Sequence, residues 1–138
     1  MRFRTFGFCT AVLGLALAAA PAWAHHSFAA EYDSTKPLKL TGAITKVDWT
    51  NPHVYFYIDV KDPDTSRVAN WAFEMAAPAV LTRMGWKRSS MQIGDVVIVE
   101  GTRAKDAGTH GNARSVTLAS TGQRLGAASS ETPARRTD

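Results

Sequence analysis

The sequence predicts an all-β fold, a small five-stranded barrel with one short helix between strands 3 and 4. Three observations lead to this prediction. Most of the chain after residue 37 alternates between apolar and polar residues with a period of two, as half-buried strands do. One short stretch carries the start and stop signals of a helix. The 138 residues, 45% of them hydrophobic and 20% charged, are enough for a single domain.

The first 24 residues differ in composition from the rest and are predicted to be a signal peptide. Arg2 and Arg4 give a positively charged start, an apolar stretch follows, and an Ala-x-Ala pattern of the kind that signal peptidase cuts ends at Ala24. We therefore expect an exported, periplasmic protein without a transmembrane segment after cleavage. The single cysteine, Cys9, lies in this segment, so the mature chain is predicted to have no disulfide and no thiolate site.

The distribution of charge argues against one class of partner. The formal net charge is +4, but two of the positive charges lie in the predicted signal peptide. No lysine- or arginine-rich run is dense enough to form a nucleic-acid footprint, and an exported protein rarely meets nucleic acid. We therefore expect no nucleic-acid partner.

The mature chain is predicted to have three parts. Residues 25–37 are expected to form a polar lead-in, residues 38–125 the barrel domain, and residues 126–138 a disordered tail of small, polar and charged residues. In the first strand, which begins the domain, the apolar residues change parity shortly after Gly42. This change predicts a bulge in a strongly coiled strand, which can pair with different partners at its two ends.

The second strand, residues 53–61, is the clearest strand in the chain. Its apolar residues alternate with Tyr55, Tyr57 and an aspartate, so one face is predicted to point inward and the tyrosines outward. A hairpin loop rich in Asp, Pro and Ser leads to the third strand, residues 67–75, which alternates in the same way.

One short helix is predicted between the third and fourth strands. Pro78 suits its first turn, where a missing N–H leaves no hydrogen bond unmade, and Gly85 is placed as a left-handed C-terminal cap. Two further strands follow, at residues 96–103 and 112–119. Three strands, a helix and two strands is the order of the five-stranded oligonucleotide/oligosaccharide-binding (OB) barrel. The sequence therefore predicts an OB-like barrel.

Four short motifs resemble those of a family of small exported bacterial proteins of unknown function. They are the predicted mature start HHSFAAEYD (residues 25–33), WTNPHVYF (residues 49–56), WAFE (residues 71–74) and GDVV (residues 94–97). The resemblance implies a periplasmic protein with a single β-rich domain. It implies no particular activity.

The histidines suggest a metal site. Cleavage after Ala24 would give His25 a free α-amine, and this amine and the imidazole of the same residue can chelate one metal ion. A second histidine would complete a three-nitrogen site suited to copper, which resembles the histidine brace of copper-dependent polysaccharide monooxygenases. His53, which begins the second strand after a rigid turn, is the first candidate. His26 would chelate with strain, and His110 lies in a glycine-flanked loop. The alternative is that His25 and His26 form a solvated chain end.

A second candidate surface is the outward face of strands two and three. Tyr55 and Tyr57 are expected to lie beside Asn70 and Glu74 on this face. In OB folds the corresponding face binds extended ligands by stacking and hydrogen bonding. The alternative is that the tyrosines only cover the barrel and keep their hydroxyl groups in water.

The sequence therefore suggests two functions. The first is an exported binding module that holds copper through His25, with His53 or His26 as a further ligand. The second is a metal-free module that binds a peptide, a glycan or a periplasmic protein on the outer face of strands two and three. Catalysis has little support, because the mature chain has no cysteine, no nucleophile-elbow glycines around its serines and no glycine-rich phosphate loop.

Overall fold

The computed structural model describes residues 28–127, which form two short helices and six strands. The predicted signal peptide and almost all of the predicted tail lie outside the described residues. In residues 28–127 no helix is long and apolar enough to cross a membrane. The helices are α1 (Phe28–Glu31) and α2 (Pro78–Arg83), and the strands are β1 (Tyr32–Asp48), β2 (Tyr55–Lys61), β3 (Val68–Glu74), β4 (Val96–Ala104), β5 (His110–Leu118) and β6 (Arg124–Gly126).

The six strands form one sheet in the order β3-β2-β1-β4-β5-β6, and its neighbours pair antiparallel. In addition β3 pairs in parallel with β5, through Ala72, Phe73 and Glu74. The pairings therefore run in a cycle from β1 through β2, β3, β5 and β4 back to β1. The prediction of a β-rich fold with a short helix between strands 3 and 4 is confirmed.

The predicted numbers of strands and helices were wrong. Residues 28–127 form six strands and two helices, because β6 and α1 are present in addition to the predicted elements. With three and four residues, both are too short to show a periodic pattern. The first strand begins at Tyr32, six residues before the predicted start, within the segment interpreted as a lead-in. Its residues 34–37 are exposed, so their polar composition hides the strand.

The 17-residue strand β1 holds the two halves of the sheet together. From Tyr32 to Ala43 it pairs with β4, and from Ala43 to Asp48 it pairs with β2. The register with β2 shifts between Ile44 and Lys46, which agrees with the predicted bulge. A Cβ atom on Gly42 would lie 2.4 Å from the carbonyl oxygen of Asp59, so this position cannot carry a side chain without moving β2.

The inward faces of the strands form the main hydrophobic core. Val54, Phe56 and Ile58 are fully buried, as the alternation in β2 predicts. The ring centroids of Phe56 and Phe73 are 5.5 Å apart, and Trp71 stacks on the other side of this pair at 6.1 Å from Phe73. Burial of these rings supplies much of the free energy that holds the sheet together.

The C-terminal end of α2 connects the helix to β6. Gly85 has a φ of +97°, the left-handed conformation predicted for it, and the N–H of Trp86 donates to the carbonyl oxygen of Leu81 at 3.0 Å. The Trp86 side chain turns back into the core and its Nε1–H donates to the carbonyl oxygen of Gly126 at 2.6 Å. The helix therefore holds the short last strand in place.

Truncating side chains on the two faces of β2 should lower the free energy of unfolding by unequal amounts. Phe56→Ala should lower the free energy of unfolding by roughly 3–5 kcal/mol, because it removes a fully buried aromatic ring. Tyr57→Ala, at the next position, should cost much less, because that ring faces outward. Urea denaturation of both variants measures the two losses. Equal losses would show that β2 is buried on both faces.

Candidate ligand-binding site

The outward faces of three strands form the candidate site. Across β2 and β3, Tyr55 pairs with Glu74 and Tyr57 pairs with Ala72. The parallel pairing of β3 with β5 then brings His110 beside Ala72. Side chains at paired positions point to the same face of a sheet, so these residues form two neighbouring rows across the strands.

A surface groove of about 400 Å³ lies over this face. All four residues that the sequence suggested for this surface line the groove, together with residues from β1 and from the loop before β5. The groove is lined by side chains that include those of Tyr32, Tyr55, Tyr57, Asn70, Ala72, Glu74 and His110.

Ala72 forms the floor of the groove. Its methyl group lies between Tyr57 on one neighbouring strand and His110 on the other. Two strand spacings separate β2 from β5 at this point, about 10 Å in all. The N–H of Ala72 donates to the carbonyl oxygen of Thr109 at 3.0 Å, which holds the loop before β5 against the edge of β3. The small side chain thus leaves room for a flat group between two rings.

Asn70 and Tyr57 are both held by their neighbours. The side-chain nitrogen of Asn70 donates to the Asp59 carboxylate at 2.8 Å and to the Thr45 hydroxyl oxygen at 3.0 Å. The amide carbonyl oxygen therefore remains as an acceptor for a ligand. The Lys46 ammonium lies 5.1 Å from the centroid of the Tyr57 ring, so a ligand can contact the opposite face of that ring.

A buried carboxylate, Glu74, lies at one end of the groove. Only 7% of the residue is exposed. The Tyr32 hydroxyl donates to its Oε2 at 2.5 Å, and Tyr55, at the paired position on β2, lies beside the carboxylate. The Nδ1 atom of His53 is in direct contact with Oε1. A buried carboxylate is costly unless it is hydrogen-bonded, and Tyr32 and His53 supply the partners.

The same contacts fix the protonation of the two tyrosines. Burial first, and then the hydrogen bond and negative charge of Glu74, raise the pKa of Tyr32 well above its ordinary value of 10.0. Burial and the charge of Glu74 also raise the pKa of Tyr55. Both hydroxyl groups therefore stay neutral.

The structure describes only part of the predicted metal site. His53 is at the edge of the groove, with its Nδ1 against Glu74 and a quarter of its side chain exposed. His25 and His26 lie outside the described residues. His110 is on the groove wall, where its Nε2 is 3.6 Å from the Asp106 carboxylate. Within residues 28–127 no group of three or more His, Cys, Asp or Glu side chains is arranged to hold a metal ion.

Tyr32 and His110 also line the groove, and the sequence does not suggest either of them for this surface. Tyr32 lies in the predicted lead-in, although it is four residues after Phe28, a spacing that places two aromatic residues on one side of a helical turn. Their ring centroids are 5.3 Å apart in the structure. His110 was set aside because of its flanking glycines, and no local pattern indicates that the loop is held against β3.

Taken together, these observations define a β-rich domain with a groove lined by polar and aromatic side chains. Residues 12–114 match the family model described as "Family of unknown function (DUF6152)". The chain belongs to this family. The prediction of an uncharacterised family is thereby confirmed, and the quoted motifs and the export of the chain stay predictions.

The chain was also compared with curated proteins and with solved structures. No curated protein matches it. Among solved structures it resembles the mitochondrial single-stranded DNA binding protein Rim1 from S. cerevisiae, with a TM-score of 0.48 and 10% sequence identity. The likeness covers 61% of this chain and 93% of the yeast chain. A likeness at this level does not extend to what the chain binds.

The raised tyrosine pKa predicts a loss of stability at high pH. In the unfolded chain Tyr32 loses its proton near pH 10, whereas in the folded chain it keeps the proton to higher pH. The folded state then binds more protons, so the stabilisation is complete below pH 10 and is lost as the pH rises above it. Tyr32→Phe should be less stable than the unchanged chain at pH 7, because the Glu74 carboxylate loses a donor.

This difference in stability should shrink above pH 10, where only the unchanged chain loses the stabilisation from Tyr32. Urea denaturation of both proteins at a series of pH values measures it. A constant difference across the alkaline range would mean that Tyr32 titrates normally in the folded state.

Proposed function

We propose that the chain is an exported, periplasmic binding module with an OB-like barrel fold, and that its ligand lies in the groove over β2 and β3. The cyclic order of strand pairings, with α2 between β3 and β4, supports the OB-like barrel. The observation that carries the function is the groove itself. It gathers Tyr55, Tyr57, Asn70 and Glu74 around the small Ala72.

The composition of the groove favours an extended ligand with flat groups and polar edges. The tyrosine rings offer faces for stacking, Asn70 offers a carbonyl oxygen, and the Tyr32 hydroxyl, whose proton is donated to Glu74, offers its oxygen as an acceptor. A peptide or a glycan presents such groups at regular intervals. One flat group of the ligand would lie on Ala72, between Tyr57 and His110.

Filling the floor of the groove tests this function. Glycan and peptide arrays identify a ligand of the unchanged protein, and its affinity is then measured for Ala72→Leu. The larger side chain should occupy the space between the two rings, so the affinity should fall at least about tenfold, which equals about 1.4 kcal/mol.

Val68→Leu is the matched control, because Val68 lies on the same strand but is 60% exposed and does not line the groove. This variant should bind like the unchanged protein. Absence of binding on both arrays, or an affinity that Ala72→Leu leaves unaltered, would contradict the proposed site.

Copper binding is the second candidate function, and the contact between His53 and Glu74 favours it. A histidine that ligates a metal commonly directs its other ring nitrogen to a carboxylate, which fixes the ring and increases its basicity. The Nδ1 atom of His53 is directed to Glu74, which leaves Nε2 on the opposite side of the ring as the ligand atom.

A chain of contacts also leads from the start of the described residues to this histidine. Phe28 packs on Tyr32, and the Tyr32 hydroxyl donates to the carboxylate that contacts His53. The copper proposal requires that the three residues before Phe28, which span at most about 10 Å, bring the His25 amine to His53. The amine and imidazole of His25 with Nε2 of His53 would supply three nitrogen ligands for copper.

Calorimetric titration with Cu(II) tests the copper site, once intact-mass measurement has shown that the exported chain begins at His25. An extra residue before His25 should weaken binding most, because it moves the amine away. His53→Ala should weaken it less, and Glu74→Gln should weaken it by about 10–100-fold through the orientation of His53. His110→Ala is the control and should have the smallest effect.

The affinity for Cu(II) should rise with pH as the α-amine loses its proton, a titration that lies near pH 8 without metal. If the extended N-terminus binds copper as tightly as the native one, or if the mature chain begins elsewhere, the copper function is wrong. Binding in the groove over β2 and β3 does not depend on either result.

A further inference from the structure

A second cavity, of about 530 Å³, lies over β1, β4, β5 and β6 and has no part in the proposed function. It shares no lining residue with the groove over β2 and β3. Its chemistry is different, because positively charged side chains dominate its lining. The lining residues include Leu38, Lys39, Glu100, Gly101, Arg114 and Arg124.

A β-bulge brings Arg114 to this cavity. Glu100 of β4 pairs with Ser115 of β5, and the next residue, Gly101, pairs with Ala113. Arg114 is therefore an extra residue on β5 without a partner position on β4. Bulges of this kind change the direction of a side chain, and they are common beside binding sites. Regular alternation would direct Arg114 and Ser115 to opposite faces of the sheet.

The floor of the cavity is left open by a glycine. A Cβ atom on Gly101 would lie 2.0 Å from the carbonyl oxygen of Asn112, so the close approach of β5 at the bulge excludes any side chain here. The bulge and the glycine therefore occur together, and the partly exposed Gly101 lines the cavity beside Arg114.

The charges around this floor are not balanced. One guanidinium nitrogen of Arg124 donates to the Glu100 carboxylate at 2.5 Å and to the Ser115 hydroxyl at 2.9 Å. The Lys39 ammonium is 3.4 Å from the other oxygen of the same carboxylate. Within residues 28–127 Arg114 makes no side-chain hydrogen bond or ion pair. Three cationic side chains thus line the cavity beside one carboxylate, which pairs with Arg124 and Lys39 but not with Arg114.

We propose that this cavity binds a small oxyanion ligand, a carboxylate or phosphate group with an apolar portion. The free guanidinium of Arg114 is the primary contact, since its planar donors match two oxygens of such a group at once. Arg124, held in place by Ser115 and Glu100, adds positive charge. The apolar portion lies against Leu38, which is half-buried beside the cavity.

Two probes test the proposal in solution, inorganic phosphate and benzoate. The measurement is a titration at low salt, followed by the NMR signals of the arginine side-chain Nε–H groups. Both probes should shift the signals of Arg114 and Arg124 with a common saturable curve. Benzoate should in addition shift the methyl signals of Leu38. The ratio of the two affinities identifies which oxyanion the cavity prefers.

Three variants give the proposal its controls. Arg114→Gln should weaken the binding of the preferred probe at least about tenfold, and Arg114→Lys should not restore it, because a lysine cannot offer paired donors. Arg83→Gln removes the same charge from α2, outside the cavity, and should bind like the unchanged protein. Unchanged dispersion of the backbone amide signals shows that each variant is folded.

The proposal is wrong if the shifts do not saturate, if Arg83→Gln weakens binding as much as Arg114→Gln does, or if Arg114→Lys binds as tightly as the unchanged protein. The first two results would indicate general attraction of anions to a basic surface, and the third would exclude paired recognition by the guanidinium. Ala72→Leu should not alter binding here, so failure of this site and failure of the groove site are distinguishable.

Discussion

The fold depends on how one long strand changes partners. β1 pairs with β4 along its first part and with β2 along its last part, and the change occurs between Gly42 and the bulge before Lys46. The carbonyl oxygen of Asp59 approaches Gly42 so closely that a side chain there would push β2 away. A strand that coils and bends in this way brings β2 and β4 to opposite sides of itself. The rest of the sheet can then curve until β3 meets β5, which satisfies backbone groups at a strand edge that would otherwise be exposed.

The candidate site is a consequence of that meeting. The pairing of β3 with β5 involves Ala72, Phe73 and Glu74, the three residues at the end of β3. Phe73 points into the core, so Ala72 and Glu74 point outward, one as the groove floor and the other as a buried acceptor. Glu74 is contacted by Tyr32 from β1 and by His53 from the segment before β2. Because a buried carboxylate requires hydrogen-bond partners, these contacts restrict the positions of both side chains.

The sequence predicted features that depend on neighbouring residues and missed those that depend on distant ones. The alternation in β2 identified its buried and exposed faces correctly, and Gly85 was recognised as a cap because a helix end needs a residue with positive φ. The contact between His53 and Glu74 joins residues 21 positions apart and follows no local pattern. β6 was missed because a three-residue strand, held by the Trp86 side chain, owes its existence to tertiary contacts rather than to its own sequence. The four groove residues were identified together because alternation places all of them on one face.

Two small residues in the interiors of strands, Gly101 and Ala72, differ in what surrounds them. Glycine and alanine are poor strand formers, so their presence inside strands calls for a structural explanation. For Gly101 the fold supplies the explanation, because the carbonyl oxygen of Asn112 occupies the space that a side chain would fill. Ala72 is partly exposed, and its outward methyl group faces the groove. A β-branched residue would pack better between Tyr57 and His110 and would favour the extended conformation. The alanine leaves that packing unmade, so the groove stays open between the positions of Tyr57 and His110 at a cost in packing that a larger side chain would recover.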